Sequence, residues 1–110
     1  MSAAHEYNEL LKSRGVPLRE LGIGDIALDR TDALNAVELL RKSSIPILGG
    51  DVYFKRQSGI ELAYANWHSD PQPGEDRQRF ANRSCLETEN YIRSFPPSDA
   101  APLFSLVIDG

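Results

Sequence analysis

The chain has 110 residues, of which 41% are hydrophobic and 25% charged, with a formal net charge of −4. These values predict a single globular domain over residues 1–110 and exclude a disordered chain. No apolar run approaches the roughly 20 residues that a membrane-spanning helix needs. Residues 1–15 lack the pattern of a secretory signal, and the lone Cys85 cannot form an internal disulfide. We therefore expect a cytoplasmic protein.

Two helices are predicted in the first half of the chain. Apolar side chains recur at helical spacing over residues 3–14, and Gly15 followed by Pro17 supplies a stop. An irregular connection with a short extended piece near Ile23 to Leu28 should follow. The second helix is expected over residues 32–43, with Thr31 as its N-cap. Its buried stripe is expected to comprise Ala33, Ala36, Val37 and Leu40.

Acidic residues concentrate between residues 20 and 38. Five acids and one base give this segment a charge of −4 and leave 11 acids and 11 bases elsewhere: Glu20, Asp25, Asp29, Asp32 and Glu38, with Arg30. Such a segment argues against nucleic-acid binding, which needs a basic face. It suits a basic protein partner reached by electrostatic steering. The alternative is a solvated acidic face without a partner.

Residues 45–57 and 60–67 are rich in β-branched and aromatic side chains and predict a hairpin with Ser58-Gly59 as its turn. Counting outward from this turn pairs Arg56 with Glu61, Phe54 with Ala63, Tyr53 with Tyr64, Val52 with Ala65 and Asp51 with Asn66. The opposite charges of Arg56 and Glu61 favour this register. A three-residue loop would shift it.

The two faces of this hairpin differ in composition. One resembles a core face and comprises Val52, Phe54, Ala63, Ala65 and Trp67. The other mixes tyrosines with polar groups, which is typical of interface cores, and comprises Asp51, Tyr53, Lys55, Ile60, Leu62, Tyr64 and Asn66. The alternative is that this second face is also covered, with its tyrosine hydroxyls satisfied internally. Trp67 and His68 at the strand exit form a second candidate patch, unless Trp67 is a core anchor.

The last third of the chain predicts a loop over residues 69–74, a helix over residues 75–95 that ends at Pro96, and a buried strand over residues 103–109. The resulting order of elements predicts an α+β fold: a small two-layer domain with three helices packed on a mostly antiparallel sheet that contains a central hairpin.

Gly49 and Gly50 precede Asp51 inside the first predicted hairpin strand. A phosphate-binding loop would lead into a helix and would not carry an acid, so this stretch does not predict one. The glycines instead indicate a bulge or a place where another element approaches the backbone closely.

Catalytic and metal-binding patterns are weak in this sequence. Cys85, His68 and Asp70 are the only set that could form a nucleophile, base and orienting acid, but Cys85 falls within a predicted helix beside an apolar face and reads as a small buried hydrophobe. Histidines occur only at His5 and His68, without metal-ligand spacing. We therefore expect no enzyme activity, no catalytic or metal-ligating residues and no cofactor.

The stretch ILGGDVY, a short hairpin, the pattern Y-x-N-W and a helix ending in YIRSFP together resemble the immunity protein 40 family of bacterial polymorphic toxin systems. The resemblance covers roughly residues 16 to 108. Ala65 stands where a polar or acidic residue is expected, and His68 where an aromatic one is expected. The resemblance implies a cytoplasmic protein that binds and neutralises a cognate toxin domain by stoichiometric occlusion, without catalytic residues.

Two other functional classes stay open from the residues alone. One is a structural or small-ligand-binding domain, and the other is a small enzyme that uses Cys85 or His68. For the immunity protein, the toxin partner would have a basic surface if the acidic segment steers association. The residues predicted to contact it are Asp25, Asp29, Asp51, Tyr53, Tyr64, Trp67 and His68.

Overall fold

Three helices and five strands make up residues 2–109, which are the residues that the structure, a computed structural model, describes. In chain order the elements are α1 (Ala3–Arg14), β1 (Val16–Pro17), a 3-10 turn (Arg19–Leu21), β2 (Ile26–Asp29), α2 (Arg30–Lys42), β3 (Ile47–Arg56), β4 (Gly59–His68), α3 (Arg77–Ser94) and β5 (Ala101–Ile108). All strand pairings described are antiparallel. The predicted α+β fold is confirmed.

The helices begin at side-chain caps that the sequence supplies. The Ser2 hydroxyl accepts from the His5 amide at 3.1 Å at the start of α1, whose predicted bounds are confirmed. The α2 helix begins two residues earlier than predicted, because its N-cap is Asp29 and not Thr31. The Asp29 carboxylate accepts from the Asp32 amide at 2.8 Å. Asp29 has the extended backbone of the preceding strand, which is the conformation that an N-cap needs.

The sheet has the strand order β1-β2-β5-β3-β4. The last strand therefore lies between β2 and β3, and its residues Leu103, Phe104 and Ser105 are buried. The predicted burial of this strand is confirmed for these central residues, whereas Ala101 and Val107 are exposed. The hairpin of β3 and β4 forms one side of the sheet, with β4 as the edge strand.

The predicted hairpin register is correct at one end and wrong at the other. Asp51 faces Asn66 and Val52 faces Ala65, as predicted. Beyond them the pairing shifts by two residues, so that Tyr53 faces Leu62, Phe54 faces Glu61 and Arg56 faces Gly59.

The cause of this shift is a bulge in β4. Ala63 and Tyr64 have no partner in the ladder, and the turn residues are Gln57 and Ser58 instead of Ser58 and Gly59. The predicted pairing of Tyr53 with Tyr64 is therefore wrong. Arg56 still reaches Glu61, with Nε and Oε1 at 2.6 Å, because a long side chain spans the diagonal to the next residue pair.

The three helices cover one face of the sheet and form the main core with it. Val52, Phe104 and Leu28 contribute from the strands, and the predicted α2 stripe is buried as expected: Ala33, Ala36, Val37 and Leu40. On the opposite face, a smaller cluster forms where residues 16–23 fold over the strands. Its buried members are Leu18, Ala27, Tyr53 and Leu103. This cover extends over only part of that face.

Gly49 and Gly50 lie where other elements approach the backbone closely, which confirms the interpretation of these glycines. A Cβ atom on Gly50 would lie 2.0 Å from the Ser105 carbonyl oxygen and 2.5 Å from the Trp67 ring. Gly49 has φ of 151°, and a Cβ there would lie 2.3 Å from the Trp67 carbonyl oxygen. The ladder between β3 and β5 also shifts between Ile47 and Gly49.

Arg83 of α3 holds the loop between β4 and α3 in place. Its guanidinium donates to both Glu75 carboxylate oxygens, at 2.7 and 2.8 Å, and to the Asp70 carbonyl at 2.6 Å. It also pairs with Glu87, which accepts from the Ser69 hydroxyl at 2.6 Å. The bond from Arg83 lowers the pKa of Glu75 from 4.5 to about 2.

We expect Glu75→Gln to destabilise the protein in a manner that depends on pH. Because the folded-state pKa of Glu75 is depressed, its ionised form stabilises the fold above pH 4.5, and this contribution disappears as the pH falls towards 2. The melting temperatures of wild type and Glu75→Gln should therefore differ at pH 6, and the difference should shrink as the pH falls to 2.5. Glu6→Gln, in the exposed part of α1, controls for the loss of one carboxylate. A difference that stays constant between these pH values would contradict this role of Glu75.

Candidate partner-binding surface

Part of the sheet face opposite the helices is open to solvent. Side chains alternate between the two faces along each strand. The residues paired with Asp51 in β4 and β5, and every second residue from them, therefore lie on the same face as Asp51. We define the open sheet surface as Asp51 of β3, Leu62, Tyr64, Asn66 and His68 of β4, and Val107 of β5. Leu62, Val107 and Tyr64 are 42%, 45% and 89% exposed. Large apolar and aromatic side chains next to polar ones are typical of protein interfaces.

A buried hydroxyl lies in the sheet beside this surface. Ser105 of β5 faces Asp51 and is 2% exposed, and its hydroxyl lies near that of Tyr53. Tyr53, on the same sheet face, is 3% exposed and belongs to the smaller cluster. Burial first, and then the negative charge of Asp51, raises the pKa of the Tyr53 hydroxyl. Tyr53 therefore stays neutral and packs inside the protein.

Trp67 lies on the helix side of the sheet. Its ring stacks on Tyr91 with the centroids 4.6 Å apart, and it meets the edge of Phe104 at 6.4 Å. Its indole N–H donates to the Thr88 hydroxyl at 3.0 Å. Of the two alternatives in the sequence, the structure places Trp67 as an anchor of the core. The aromatic residue that the hairpin exposes is Tyr64.

The acidic segment is mostly engaged within the protein. Asp29 caps α2, Asp32 accepts from Arg14 Nε at 3.0 Å, and Glu38 pairs with Arg41. Glu20 accepts from the Ile60 amide at 3.0 Å. Asp25 is exposed, and its carboxylate forms no ion pair or hydrogen bond with the described residues.

Asp25 and Asp51 are therefore the free negative charges near the open sheet surface. Each raises the pKa of Tyr53, after the larger effect of burial, which places both carboxylates near that buried ring. His68 adds a weak, exposed pair with Asp70, whose Oδ2 lies 3.8 Å from His68 Nε2. Among the predicted contact residues, the exposed ones are thus Asp25, Asp29, Asp51, Tyr64 and His68, of which Asp29 is engaged as the N-cap of α2. Tyr53 is buried and Trp67 packs against the core.

Sequence reasoning missed Val107 as a surface residue. The final strand was predicted to be buried as a unit, but its residues alternate: Phe104 faces the helices, and Val107 lies on the open sheet surface. The signal was present in the period-2 pattern of the stretch LFSLVID. Leu62 and Asn66 were assigned to the polar hairpin face but not to the predicted contacts.

Cys85 is fully buried in α3, as the sequence predicted. Burial is the main cause that raises the pKa of its thiol to about 11, and its Sγ lies 3.7 Å from the Ile45 carbonyl oxygen. The thiolate, which is the nucleophilic form, is therefore scarcely populated at neutral pH. Residues 2–109 also contain no group of three histidine, cysteine or acidic side chains arranged to hold a metal ion.

Comparison with known proteins identifies one family. The family model described as immunity protein 40 matches residues 17–108. Searches of curated proteins and of solved structures returned no match. Across the part of the chain that the structure describes, no helix has the length and apolar character required to cross a membrane. The match spans both hairpin strands, the glycine pair and β5, and on this basis the chain belongs to the immunity protein 40 family.

Proposed function

We propose that this protein binds a cognate toxin domain in the cytoplasm and neutralises it by stoichiometric occlusion, using the open sheet surface. Membership of the immunity protein 40 family supports a toxin partner. The observation that carries the choice of surface is the uneven cover of the sheet. Three helices bury one face, whereas the other exposes Leu62, Tyr64 and Val107 beside Asp51 and Asn66.

The proposed contacts are those predicted residues that the fold leaves accessible, together with their neighbours. Asp51, Tyr64 and His68 lie on the open sheet surface, and Asp25 lies beside it. Asp29 is accessible, but its carboxylate caps α2, so we assign it an indirect role. Tyr53 and Trp67 also act indirectly, because they pack within the protein. Tyr64, Leu62 and Val107 supply apolar surface area that a partner can bury. The carboxylates favour a partner with a positively charged surface.

Binding is tested with a candidate toxin domain, which is to be sought as the variable C-terminal domain of a secreted protein encoded immediately upstream of this chain. Isothermal titration calorimetry of the two purified proteins should give a 1:1 complex, and co-expression should restore growth to cells that produce the toxin domain. If neither binding nor rescue is observed, the proposed function is wrong.

The charge of Asp51 should matter more for association than an equal charge on the helix side. We expect Asp51→Lys to slow association with the toxin domain by about tenfold at low salt, because it reverses the local potential. Glu9→Lys reverses an exposed charge on α1 and is the matched control. Stopped-flow or surface-plasmon-resonance rates measured between 25 mM and 300 mM salt provide the test. Equal association rates for the two variants would show that Asp51 is not part of the contact surface.

A further inference from the structure

Tyr64 has a backbone conformation that tyrosine seldom adopts. Its φ is 56°, and within residues 2–109 the one other non-glycine residue with positive φ is Ser44, at 52°. This left-handed conformation is disfavoured for residues with a Cβ atom, and glycine or asparagine adopts it at lower cost. At Ser44 the conformation ends α2, and its amide donates to the Arg41 carbonyl at 3.0 Å. Helix ends commonly require this geometry.

The side chain of Tyr64 makes few contacts within the folded chain that could offset the cost of this backbone conformation. It is 89% exposed, and within the described residues its hydroxyl forms no hydrogen bond and its ring no aromatic contact. The aromatic rings that pair with one another do so without it: Phe54, Trp67, Tyr91, Phe95 and Phe104. The tyrosine ring therefore does not explain the stability of the bulge.

The bulge itself is held firmly on both sides of Tyr64. Ala63 and Ala65 pack against the core cluster on the helix side, and regular pairing resumes at Leu62 and Ala65. The backbone at Tyr64 is thus fixed, while the ring extends into solvent between Leu62 and Asn66. A rigid backbone that presents a large amphipathic side chain is typical of an interface anchor, because little conformational entropy is lost on binding.

The charged side chain of the open sheet surface closest to this ring in the strand pairing is negative. Asp51 faces Asn66, next but one to Tyr64, whereas Lys55 on the same face of β3 lies beyond Tyr53 and pairs with Ile60; the Asp25 carboxylate lies near Tyr53. A partner that receives Tyr64 therefore avoids repulsion only if the rim of its pocket is neutral or positive. An apolar pocket with a basic rim matches both the ring and the carboxylates.

We propose that Tyr64 is an anchor that inserts into an apolar pocket on the toxin domain, with a lysine or arginine at the rim of that pocket placed against Asp51. This inference rests on the proposed function, since it names the part of the toxin surface that the open sheet surface recognises. It also assigns a cause to the unusual backbone: the bulge is kept because it projects this side chain.

The test separates stability from binding. Tyr64→Asn retains the bulge with a residue that tolerates positive φ, so its melting temperature should equal or exceed that of the wild type. Its affinity for the toxin domain should fall at least about 30-fold, as is usual for an aromatic anchor. Ser44→Gly is the matched control, because it relaxes the other positive φ on the helix side and should leave affinity unchanged.

The outcomes distinguish this inference from the proposed function. If wild type binds the toxin domain and Tyr64→Asn binds equally well, the anchor is wrong while the proposed function stands. A melting temperature of Tyr64→Asn that falls by more than about 5 °C would show that the ring stabilises the fold, which also contradicts the anchor. If wild type does not bind, both proposals fail.

Discussion

Gly50→Ala is expected to destabilise the protein by about 3–5 kcal/mol, which is a large part of the total stability of a domain of this size. β3 is paired on both sides, with Gly50 facing Trp67 on β4 and Leu106 on β5. The added methyl group would lie 2.0 Å from the Ser105 carbonyl oxygen. Since that oxygen belongs to the backbone of a central strand, the overlap can be relieved only by separating strands.

The ring of Trp67 prevents the new methyl group from moving away from the Ser105 carbonyl oxygen. Its atoms would lie 2.5 and 2.8 Å from the new methyl group, and the ring is itself fixed by Tyr91 and Thr88. Chemical denaturation measures the effect. Gly24→Ala is the matched control, because a Cβ there meets nothing within 4 Å and its φ lies outside the left-handed region.

At Gly24 the same substitution should be neutral or slightly stabilising, since alanine reduces the conformational freedom of the unfolded chain. A Gly50→Ala protein with wild-type stability would show that β3 and β5 are not packed as the structure has them. The two alanine variants differ only in surroundings, so the contrast measures close approach and not the loss of a glycine.

Trp67→Ala should cost about 3 kcal/mol or more. The substitution removes the stacking on Tyr91, the edge contact with Phe104 and the hydrogen bond to Thr88. It also opens a cavity between β4 and α3, which lies over the glycine pair. Because Thr88 is fully buried, its hydroxyl would lose a partner in a place that water reaches poorly.

Two further variants separate the contribution of the hydrogen bond to stability from that of the ring contacts. Trp67→Phe retains an aromatic ring without the N–H donor, and Thr88→Val removes the acceptor at nearly constant volume. If the hydrogen bond is the shared interaction, the double variant should cost less than the sum of the single ones, by about 1 kcal/mol. Strict additivity would refute the coupling between Trp67 and Thr88. A stable Trp67→Ala protein would place the indole on the surface, contrary to its assignment to the core.

The acidic segment illustrates how composition can overstate a surface charge. Five carboxylates within 19 residues predicted a strongly negative face. However, Asp29 caps the start of α2, Asp32 pairs with Arg14, and Glu38 pairs with Arg41. A cap or an ion pair with a distant residue is invisible in a linear count. The remaining charge near the candidate surface depends on Asp25 and Asp51.

Local patterns in the sequence determined the helices, the hairpin, the final strand and the family. These features follow from short-range rules: helical spacing over residues 3–14, caps and stops, and runs of β-branched side chains. The glycine pair was also interpreted correctly, because a strand interior rarely contains adjacent glycines without a close neighbour.

Only the tertiary structure decided which hairpin side chains are exposed and which are buried. A two-residue bulge at Ala63 and Tyr64 separates tyrosines that simple counting had paired. Tyr53 became core because residues 16–23 fold over it, and Tyr64 became exposed. This bulge depends on how the neighbouring strand β3 and the helix layer pack against β4 at once, so the sequence of one strand cannot specify it. The placement of β5 between β2 and β3, which exposes Val107, is equally a property of long-range pairing.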